Sequence, residues 1–354
     1  MSTSLPIHGR GAQLNPPNRF IPLYREAIPG WTEEEDPAPR TRFFRDTTRT
    51  ILNTNDSPDI YFTYSLNPYR GCEHGCAYCY ARPGHEFLGL SSGLDFESQI
   101  FVKEDAPELL RKELRSPKWV PDTVSISGVT DAYQPIERRL QLTRRCLEVF
   151  AEFRNPVGIV TKSALVSRDR DLFGELARHE AAHVFLSVTT LDPELARVME
   201  PRASAPAARL RAVQELTEAG IPVGVLVAPI IPGLNDHEAP AILRAAADAG
   251  ARTAGYVTLR LPFALKDLFC DWLERHFPER KERVLGRLRE ARGGKLNDST
   301  FGRRMRGEGE WADLFAQMFK IQRQRVGMHE RLPELSTAHF TNSRPKQGTL
   351  FDLE

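Results

Sequence analysis

The sequence predicts an α/β fold built on parallel strands, and three observations lead to that prediction. Six apolar runs of strand length lie between residues 62 and 259, a helix-like stretch follows each of the first five, and polar side chains come directly after most of the runs. Alternating strands and helices indicate parallel pairing through right-handed crossovers. With 354 residues, 41% of them hydrophobic, the chain can bury a sizeable core.

The individual elements follow one another in chain order. The predicted strands are FTYSL, TVSISG, PVGIVT, HVFLSVT, IPVGVLVAPII and TAGYVTL, and their near-continuous apolar character is typical of strands covered on both faces. The predicted helices are APELLRKEL, RRLQLTRRCLEVFAEF, RDLFGELARH, PAARLRAVQELTEAG and EAPAILRAAADAG, and Gly ends the last two. Periodicity alone leaves a doubly wound sheet and a partial barrel open.

The segments around these repeats differ in composition. Residues 1–60, rich in Pro, Asn, Arg and Thr, predict an N-terminal arm ahead of a barrel over residues 61–261. Residues 262–327 predict a helical C-terminal extension, and residues 328–354 a flexible polar tail. The chain lacks a signal-peptide core and any apolar run long enough to span a bilayer, so we expect a cytoplasmic protein.

Polar side chains stand at the carboxyl ends of the second to sixth strands. In α/β folds that edge is where ligands bind, so these groups are expected to converge on one mouth. Helix capping and loop solvation are the alternative roles for any one of them. The side chains concerned are Ser127, Thr130, Asp131, Lys162, Ser163, Ser187, Thr189, Thr190, Asn235, Asp236 and Arg260.

A cysteine motif, NPYRGCEHGCAYCY, directly follows the first strand. The spacing CxxxCxxC places Cys72, Cys76 and Cys79 on one loop, and Gly71 and Gly75 permit the tight turns that bring sulfurs together. Structural zinc and ferredoxin-type clusters take four protein ligands. Three thiolates therefore indicate a metal centre with one open position.

Two other interpretations of the motif remain open at this point. Zinc could be completed by His74 or His85, since His is a common fourth ligand of such sites. Buried structural cysteines are the other possibility, because free Cys is among the most buried residue types. A disulfide framework is not expected, because three of the five Cys lie within eight residues.

With the aromatic Tyr78 before its third Cys and a place after the first strand of a six-fold repeat, the motif resembles that of the radical S-adenosylmethionine (SAM) superfamily. YRGCEHGCAYCYAR is similar to its spore photoproduct lyase-like branch. NPPNRF, DSPDI, GLDFE and SISGVTDAYQPIE resemble a group of uncharacterised bacterial proteins in that branch. The resemblance implies a partial parallel (β/α)6 barrel with an N-terminal arm and a helical C-terminal extension.

The resemblance also implies the cofactors. These are a [4Fe-4S] cluster bound by Cys72, Cys76 and Cys79, and SAM bound to the fourth iron through its amino and carboxylate groups. An electron from a flavodoxin- or ferredoxin-type reductant cleaves SAM to methionine and a 5′-deoxyadenosyl radical, which takes hydrogen from the substrate. The cofactors supply the chemistry, and the protein binds and orients them.

Positions in the SAM site are implied in the same way. Tyr78 is expected to pack on the adenine, and Lys162, a cation at a strand end, to pair with the SAM carboxylate. SGVTD stands where the superfamily commonly has Gly-Gly-Glu. The side chains expected near the SAM amino group are Ser127, Thr130 and Asp131, and those expected at the ribose are Ser187 and Thr189.

Candidates for the radical step come from the same likeness, because spore photoproduct lyases use a cysteine as hydrogen donor. The cysteines outside the motif are Cys146 and Cys270, and both lie in apolar helical patterns that favour the core. Tyr80, directly after the motif, is the other candidate. Its alternative role is an aromatic wall of the site.

A basic segment points to the substrate class. Residues 280–306 hold ten Lys or Arg against three Asp or Glu, which predicts phosphate contacts by Arg303, Arg304 and Arg306. A solvated helix face is the alternative. We expect a radical SAM enzyme acting on nucleic acid, in repair or modification. Radical chemistry on a protein or small molecule, and a cluster-stabilised nucleic-acid-binding protein without catalysis, are the alternatives.

The C-terminal string QGTLF suggests a protein partner. Gln347, Leu350 and Phe351 resemble the short peptide by which bacterial DNA polymerases and repair enzymes engage the sliding clamp. Docking of the two apolar side chains onto this protein's own surface is the alternative. A sliding-clamp partner would connect the chain to DNA metabolism.

Overall fold

The computed structural model describes residues 7–21 and 40–342. The strands are β1 (Arg42–Arg45), β2 (Leu52–Thr54), β3 (Tyr64–Leu66), β4 (Tyr69–Arg70), β5 (Gln99–Val102), β6 (Val124–Ile126), β7 (Val157–Thr161), β8 (Ala182–Ser187), β9 (Val223–Ile230) and β10 (Thr253–Thr258). The helices are α1 (Leu94–Ser98), α2 (Ala106–Leu114), α3 (Glu137–Leu140), α4 (Leu142–Phe153), α5 (Arg170–Ala177), α6 (Pro193–Met199), α7 (Pro206–Glu218), α8 (Ala239–Asp248), α9 (Leu265–His276), α10 (Lys281–Glu290) and α11 (Glu310–Arg325). Short 3-10 segments are Arg82–Leu88, Ala164–Asp169, Asp236–Glu238 and Pro278–Arg280.

The main sheet has seven strands in the order β10-β9-β8-β7-β6-β3-β2. Six of them, β3 and β6 to β10, run parallel and coincide with the six predicted strands. Strand β2 joins β3 antiparallel, and a second sheet has the order β1-β5-β4. Sequence periodicity missed β1 and β2, inside the predicted arm, because three or four residues are too few for an alternating pattern to be visible.

The core lies between the sheet and the helices that follow its strands. Helix α4 shows why the sequence folds this way. Its apolar Leu142, Cys146 and Phe150 recur every four residues, form one face and are fully buried in the main cluster. Helix α11 covers the far end of the sheet, where Phe315 and Phe319 lie 4.9 and 4.7 Å from the Tyr256 ring of β10.

The second half of the basic segment is built into the fold. Arg292, 2% exposed, donates to the backbone carbonyls of Thr258 and Leu259 and to those of residues 303 and 304. The Thr258 N–H of β10 donates in turn to the Met305 carbonyl at 2.9 Å. Residues 303–306 therefore line the free edge of the sheet beside β10, which explains part of the local excess of positive charge.

None of the helices in the described part of the chain combines the length and apolar composition needed to cross a bilayer. The predicted clamp-binding residues Gln347, Leu350 and Phe351 lie outside the described residues.

Candidate active site

The cysteine loop lies between β4 and the 3-10 segment Arg82–Leu88. Its turns close through N–H groups of Gly75 and Cys79, which donate to the carbonyls of Cys72 and Cys76, both at 3.3 Å. Gly71 and Gly75 have φ of 79° and 64°, in the left-handed region that glycine adopts without strain. Cys72 and Cys76 are buried and Cys79 is half-buried. The loop is thus a compact turn that gathers three thiols.

Burial sets the protonation of these thiols. It raises the pKa of Cys72 well above the usual value. The pKa of Cys76 rises to about 12 through burial and then through the Glu200 carboxylate, while Lys162 and Arg209 act in the opposite direction. A metal that binds such a thiol displaces its proton outright. The loop therefore has the chemistry of a thiolate ligand set that forms on metal binding.

The donor set consists of three free thiols, which are ligands both of iron–sulfur clusters and of zinc. Within residues 7–21 and 40–342, no three His, Cys, Asp or Glu side chains are grouped to share a single metal ion. Of the two His considered as zinc ligands, His74 is engaged elsewhere, whereas the buried Nε2 of His85 has no hydrogen-bond partner among the described residues. His74 Nδ1 lies 3.3 Å from Asp131, and His85 packs edge-on against Phe96.

A buried ion pair is hydrogen-bonded to the backbone of the cysteine loop and stabilises it. Arg82 and Glu97, both side chains 0% exposed, lie 3.1 Å apart. Arg82 also donates to the Gly75 carbonyl at 3.1 Å, and Glu97 accepts from the Gly11 N–H at 3.1 Å. A Cβ on Gly11 would lie 1.7 Å from the Gly75 oxygen. The N-terminal arm, whose role the sequence left open, therefore packs directly on the motif.

Lys162 extends from the end of β7 towards the cysteine loop. Its ammonium lies 5.6 Å from the centre of the Tyr78 ring, and no carboxylate in the described residues is within ion-pair distance. Burial lowers the pKa of Lys162, but Cys76 and Glu200 outweigh it and raise the pKa above its usual value. The mouth therefore contains a charged ammonium without a direct acidic partner.

Asp131 is a structural acid. Its carboxylate accepts from the Thr161 hydroxyl at 2.7 Å and from the Lys162 N–H at 2.8 Å. Burial alone would raise the pKa of Asp131, but His74 and these hydrogen bonds hold it below the usual range. Because its oxygens are already paired, Asp131 joins the loop after β6 to β7. Neither carboxylate oxygen of Asp131 is free, so the structure does not support the expectation that Asp131 contacts the SAM amino group.

Ser127 and Thr130 also serve the loops around the mouth. The Ser127 hydroxyl accepts from the Ala132 N–H at 3.3 Å, and Ser127 itself has a φ of 87°. The Thr130 hydroxyl donates to the Gly71 carbonyl at 2.6 Å. This contact connects the loop after β6 to the first turn of the cysteine motif, so Thr130 shapes the site through the backbone.

A buried polar cluster connects the loops after β3 and β8. The Glu200 carboxylate accepts hydrogen bonds from the Tyr78 hydroxyl, from Thr189 at 2.6 Å and from the Arg209 guanidinium. Burial would raise the pKa of Glu200, but Arg209 and Lys162 lower it to about 2, so it is ionised. The Ser187 hydroxyl, by contrast, has no hydrogen-bond partner among the described residues. Of the two predicted ribose ligands, Ser187 is the free one.

Sequence reasoning missed Glu200 and Arg209. Glu200 lies at the end of a short helix, where a single carboxylate is part of no periodic sequence pattern that would indicate burial. Arg209 did carry a signal, because it is spaced from Ala212, Val213 and Leu216 as members of one buried helix face. A lone Arg on an apolar face requires a buried anion, since an unpaired buried charge is costly.

The candidates for the radical step lie in different environments. Tyr80 is 50% exposed at the mouth, donates to the Gly128 carbonyl at 2.7 Å and has the Arg260 guanidinium 5.3 Å from its ring centre. Cys146 is 0% exposed inside the α4 core, where burial raises its pKa. A thiol without accessible surface cannot meet a substrate, which corrects the suggestion of Cys146 as hydrogen donor. Cys270 is half-buried on α9.

Comparisons with known proteins agree with this geometry. The model of the family described as "Radical SAM superfamily" matches residues 66–246, just over half of the chain. An uncharacterised protein of Mycobacterium tuberculosis (strain ATCC 25618 / H37Rv) is 38% identical over 220 residues, 62% of this chain and 65% of that protein. An uncharacterised protein of Methanocaldococcus jannaschii is 35% identical over 175 residues, 49% of this chain and 63% of that protein. The matches thus span somewhat less than two thirds of these relatives.

The fold has counterparts among solved structures. Spore photoproduct lyase complexed with dinucleoside spore photoproduct aligns with a TM-score of 0.58 at 17% identity, covering 80% of this chain and 79% of that chain. At 17% sequence identity, this similarity is evidence for a shared fold. The open, mostly parallel sheet is therefore the partial barrel that the sequence predicts.

Proposed function

This chain belongs to the radical SAM superfamily, whose cofactors are a [4Fe-4S] cluster and SAM, and we propose that Cys72, Cys76 and Cys79 bind the cluster. When bound, these cofactors supply a 5′-deoxyadenosyl radical that removes a hydrogen atom from the substrate. The observation that carries the proposal is the three-thiol loop, with Cys72 and Cys76 buried, next to the Lys162 ammonium.

The residues around the loop divide into ligands and supports. Lys162 has a charged group free for the SAM carboxylate, and Ser187 has a hydroxyl free for the ribose. Glu200 fixes the hydroxyl end of Tyr78, so that its ring can serve as a wall for the adenine. Asp131, already saturated, holds the Lys162 backbone in place.

For the substrate we propose nucleic acid, and the supporting surface differs from the one predicted. Arg303 pairs with Glu308 at 2.6 Å, and Arg304 pairs with Asp59 at 2.5 Å. Because these two guanidinium groups already have acidic partners, they are less available for phosphate contacts than an unpaired arginine. This arrangement does not support Arg303 and Arg304 as members of the predicted phosphate-binding group, whereas Arg306 is exposed and stays a prediction.

The first half of the basic segment supports the proposal instead. Arg280, Arg283 and Arg287 line a cleft of about 430 Å³ with His237, after β9 at the carboxyl end of the sheet. Asp236 lies 3.4 Å from Arg287 and Glu279 lies 3.8 Å from Arg280, whereas Arg283 has no acidic partner among the described residues. Such a cationic cleft suits the phosphates of a polynucleotide. The structural neighbour with a dinucleoside ligand points in the same direction.

The cofactor assignment is tested by anaerobic reconstitution. The wild-type chain should bind four irons and release 5′-deoxyadenosine from SAM under reduction. Replacing Cys72, Cys76 and Cys79 by Ala should abolish both, whereas Cys270→Ala, the matched control, should retain both. One tightly bound zinc and no iron in the wild type would refute the assignment.

The substrate assignment is tested by nucleic-acid binding at several salt concentrations. Replacing Arg280, Arg283 and Arg287 by Gln should weaken binding and reduce the salt slope by up to about three, roughly one per phosphate contact. The control replaces three exposed arginines of the outer helices and should leave the slope unchanged. Equal slopes in both variants would favour a protein or small-molecule substrate. The control residues are Arg178, Arg211 and Arg244.

A further inference from the structure

Three exposed phenyl rings and one guanidinium form what we call the aromatic rim, defined as Arg19, Phe20, Phe87 and Phe263. The rings of Phe20 and Phe87 stack with centres 4.8 Å apart. The Arg19 guanidinium lies 5.0 Å from the centre of Phe20 and 3.6 Å from that of Phe263. The three phenylalanines are 52%, 74% and 56% exposed. Clustered large apolar side chains at this exposure mark a binding surface.

The rim lies beside the mouth of the barrel. Phe87 belongs to the 3-10 segment that follows the cysteine loop, and Phe263 follows the last parallel strand, β10. These are the loops after the first and last parallel strands of an open sheet, so they meet where the barrel is not closed. Tyr80 and Arg260, in the same two loops, make a second aromatic–arginine contact at 5.3 Å.

The rim is held in place before any ligand arrives. Arg19 pairs at 2.6 Å with Glu86, whose side chain is 0% exposed. The Asn18 amide donates to the carbonyls of Glu86 and Leu90 at 2.8 and 2.9 Å. Phe263 has a φ of 52°, a left-handed conformation that is unfavourable for a residue with a Cβ. A strained backbone that presents an exposed ring is a feature of binding sites rather than of packing.

We propose that the aromatic rim stacks an unpaired base of single-stranded nucleic acid and so guides the strand to the mouth; this rests on the proposed function. Phenyl faces have no hydrogen-bonding atoms, so they accept any base, and an interleaved guanidinium adds a further stacking surface. A paired base in a duplex does not expose its face. The rim therefore favours single strands or bases displaced from a helix.

The experiment measures fluorescence anisotropy of a labelled thymidine oligonucleotide and of a duplex of equal length, with the reconstituted full chain. The double variant Phe20→Ala with Phe87→Ala should bind the single strand about tenfold or more weakly, as expected for loss of a base stack. Its salt slope should equal that of the wild type, because no charge that contacts phosphate is removed. Phe87→Trp should retain binding, since indole also stacks.

Tyr61→Ala is the matched control. Tyr61 is 88% exposed with Arg331 5.0 Å from its ring centre, but it precedes β3 and so lies at the opposite end of that strand. It should bind as the wild type does. If the wild type prefers the duplex, or if the double variant binds the single strand as tightly as the wild type, the rim inference is overturned while the proposed function stands. If the wild type binds no nucleic acid yet cleaves SAM, the nucleic-acid substrate is overturned as well.

Discussion

Replacing Arg82 by Met tests whether a buried ion pair holds the cysteine loop in shape. Arg82 donates to the carbonyls of Gly75, Cys76 and Gly93 and to Glu97, over 2.8 to 3.1 Å. Methionine keeps much of the volume but none of these donors. Two carbonyls of the motif would lose their partner, and the Glu97 carboxylate would lose its hydrogen-bonded counter-charge, with Arg10 as its remaining cationic neighbour.

The size of the effect follows from burial. Removing one partner of a fully buried pair costs about 3–5 kcal/mol, because the remaining charge stays desolvated. Glu97 keeps the N–H groups of Gly11 and Ala12, at 3.1 and 2.8 Å, so we expect a loss of stability of about 3 kcal/mol. Domains are stable by about 5–15 kcal/mol, so the variant should still fold.

Urea unfolding of the apoprotein under reducing conditions measures the change, and iron content after reconstitution reports on the loop. The control is Arg197→Met, which breaks a pair with Glu194 whose side chains are 69% and 74% exposed. It should cost less than about 1 kcal/mol. Glu97→Gln removes the carboxylate charge but also one acceptor of the Gly11 and Ala12 N–H groups, so its effect should not add to that of Arg82→Met. Equal effects of Arg82→Met and Arg197→Met would refute the reasoning.

Two further predictions concern the cofactor site and the C-terminus. Lys162→Ala should weaken SAM binding by about 2–5 kcal/mol, measured by anaerobic calorimetry, with iron content unchanged because no cluster ligand is touched; an unaltered Kd would place the SAM carboxylate elsewhere. A peptide of residues 344–354 should bind the host's sliding clamp with micromolar affinity, and Leu350→Ala with Phe351→Ala should abolish it by removing both apolar anchors. Absence of binding by peptide and full chain would contradict the link to the clamp.

Local patterns in the sequence were sufficient to predict the parallel strands and the helices between them. The six parallel strands and the helices between them follow from apolar runs and helical spacing, which are properties of contiguous residues. The cysteine loop could also be predicted from contiguous residues, because Cys72, Cys76 and Cys79 lie within eight residues and the intervening Gly75 makes their turn possible. The family followed from this motif and its position after the first strand.

The supports of the site could not be found in this way. Glu97 and Gly11 are 86 positions apart, and Tyr78 and Glu200 are 122 apart, so no periodicity connects them. Only the folded chain brings such pairs within hydrogen-bond distance. The same holds for Asp131, whose position at a strand end suggested a ligand while the neighbouring strand already satisfies its oxygens.

The basic segment shows most directly what tertiary structure decides. Its arginines are alike in sequence, yet Arg304 pairs with Asp59, 245 positions away, while Arg283 lines an open cleft without an acidic partner among the described residues. A count of charges along the chain cannot distinguish them. The strength of a charge at the surface depends on its nearest counter-charge and on its exposure to water, and both are set by contacts between distant parts of the chain.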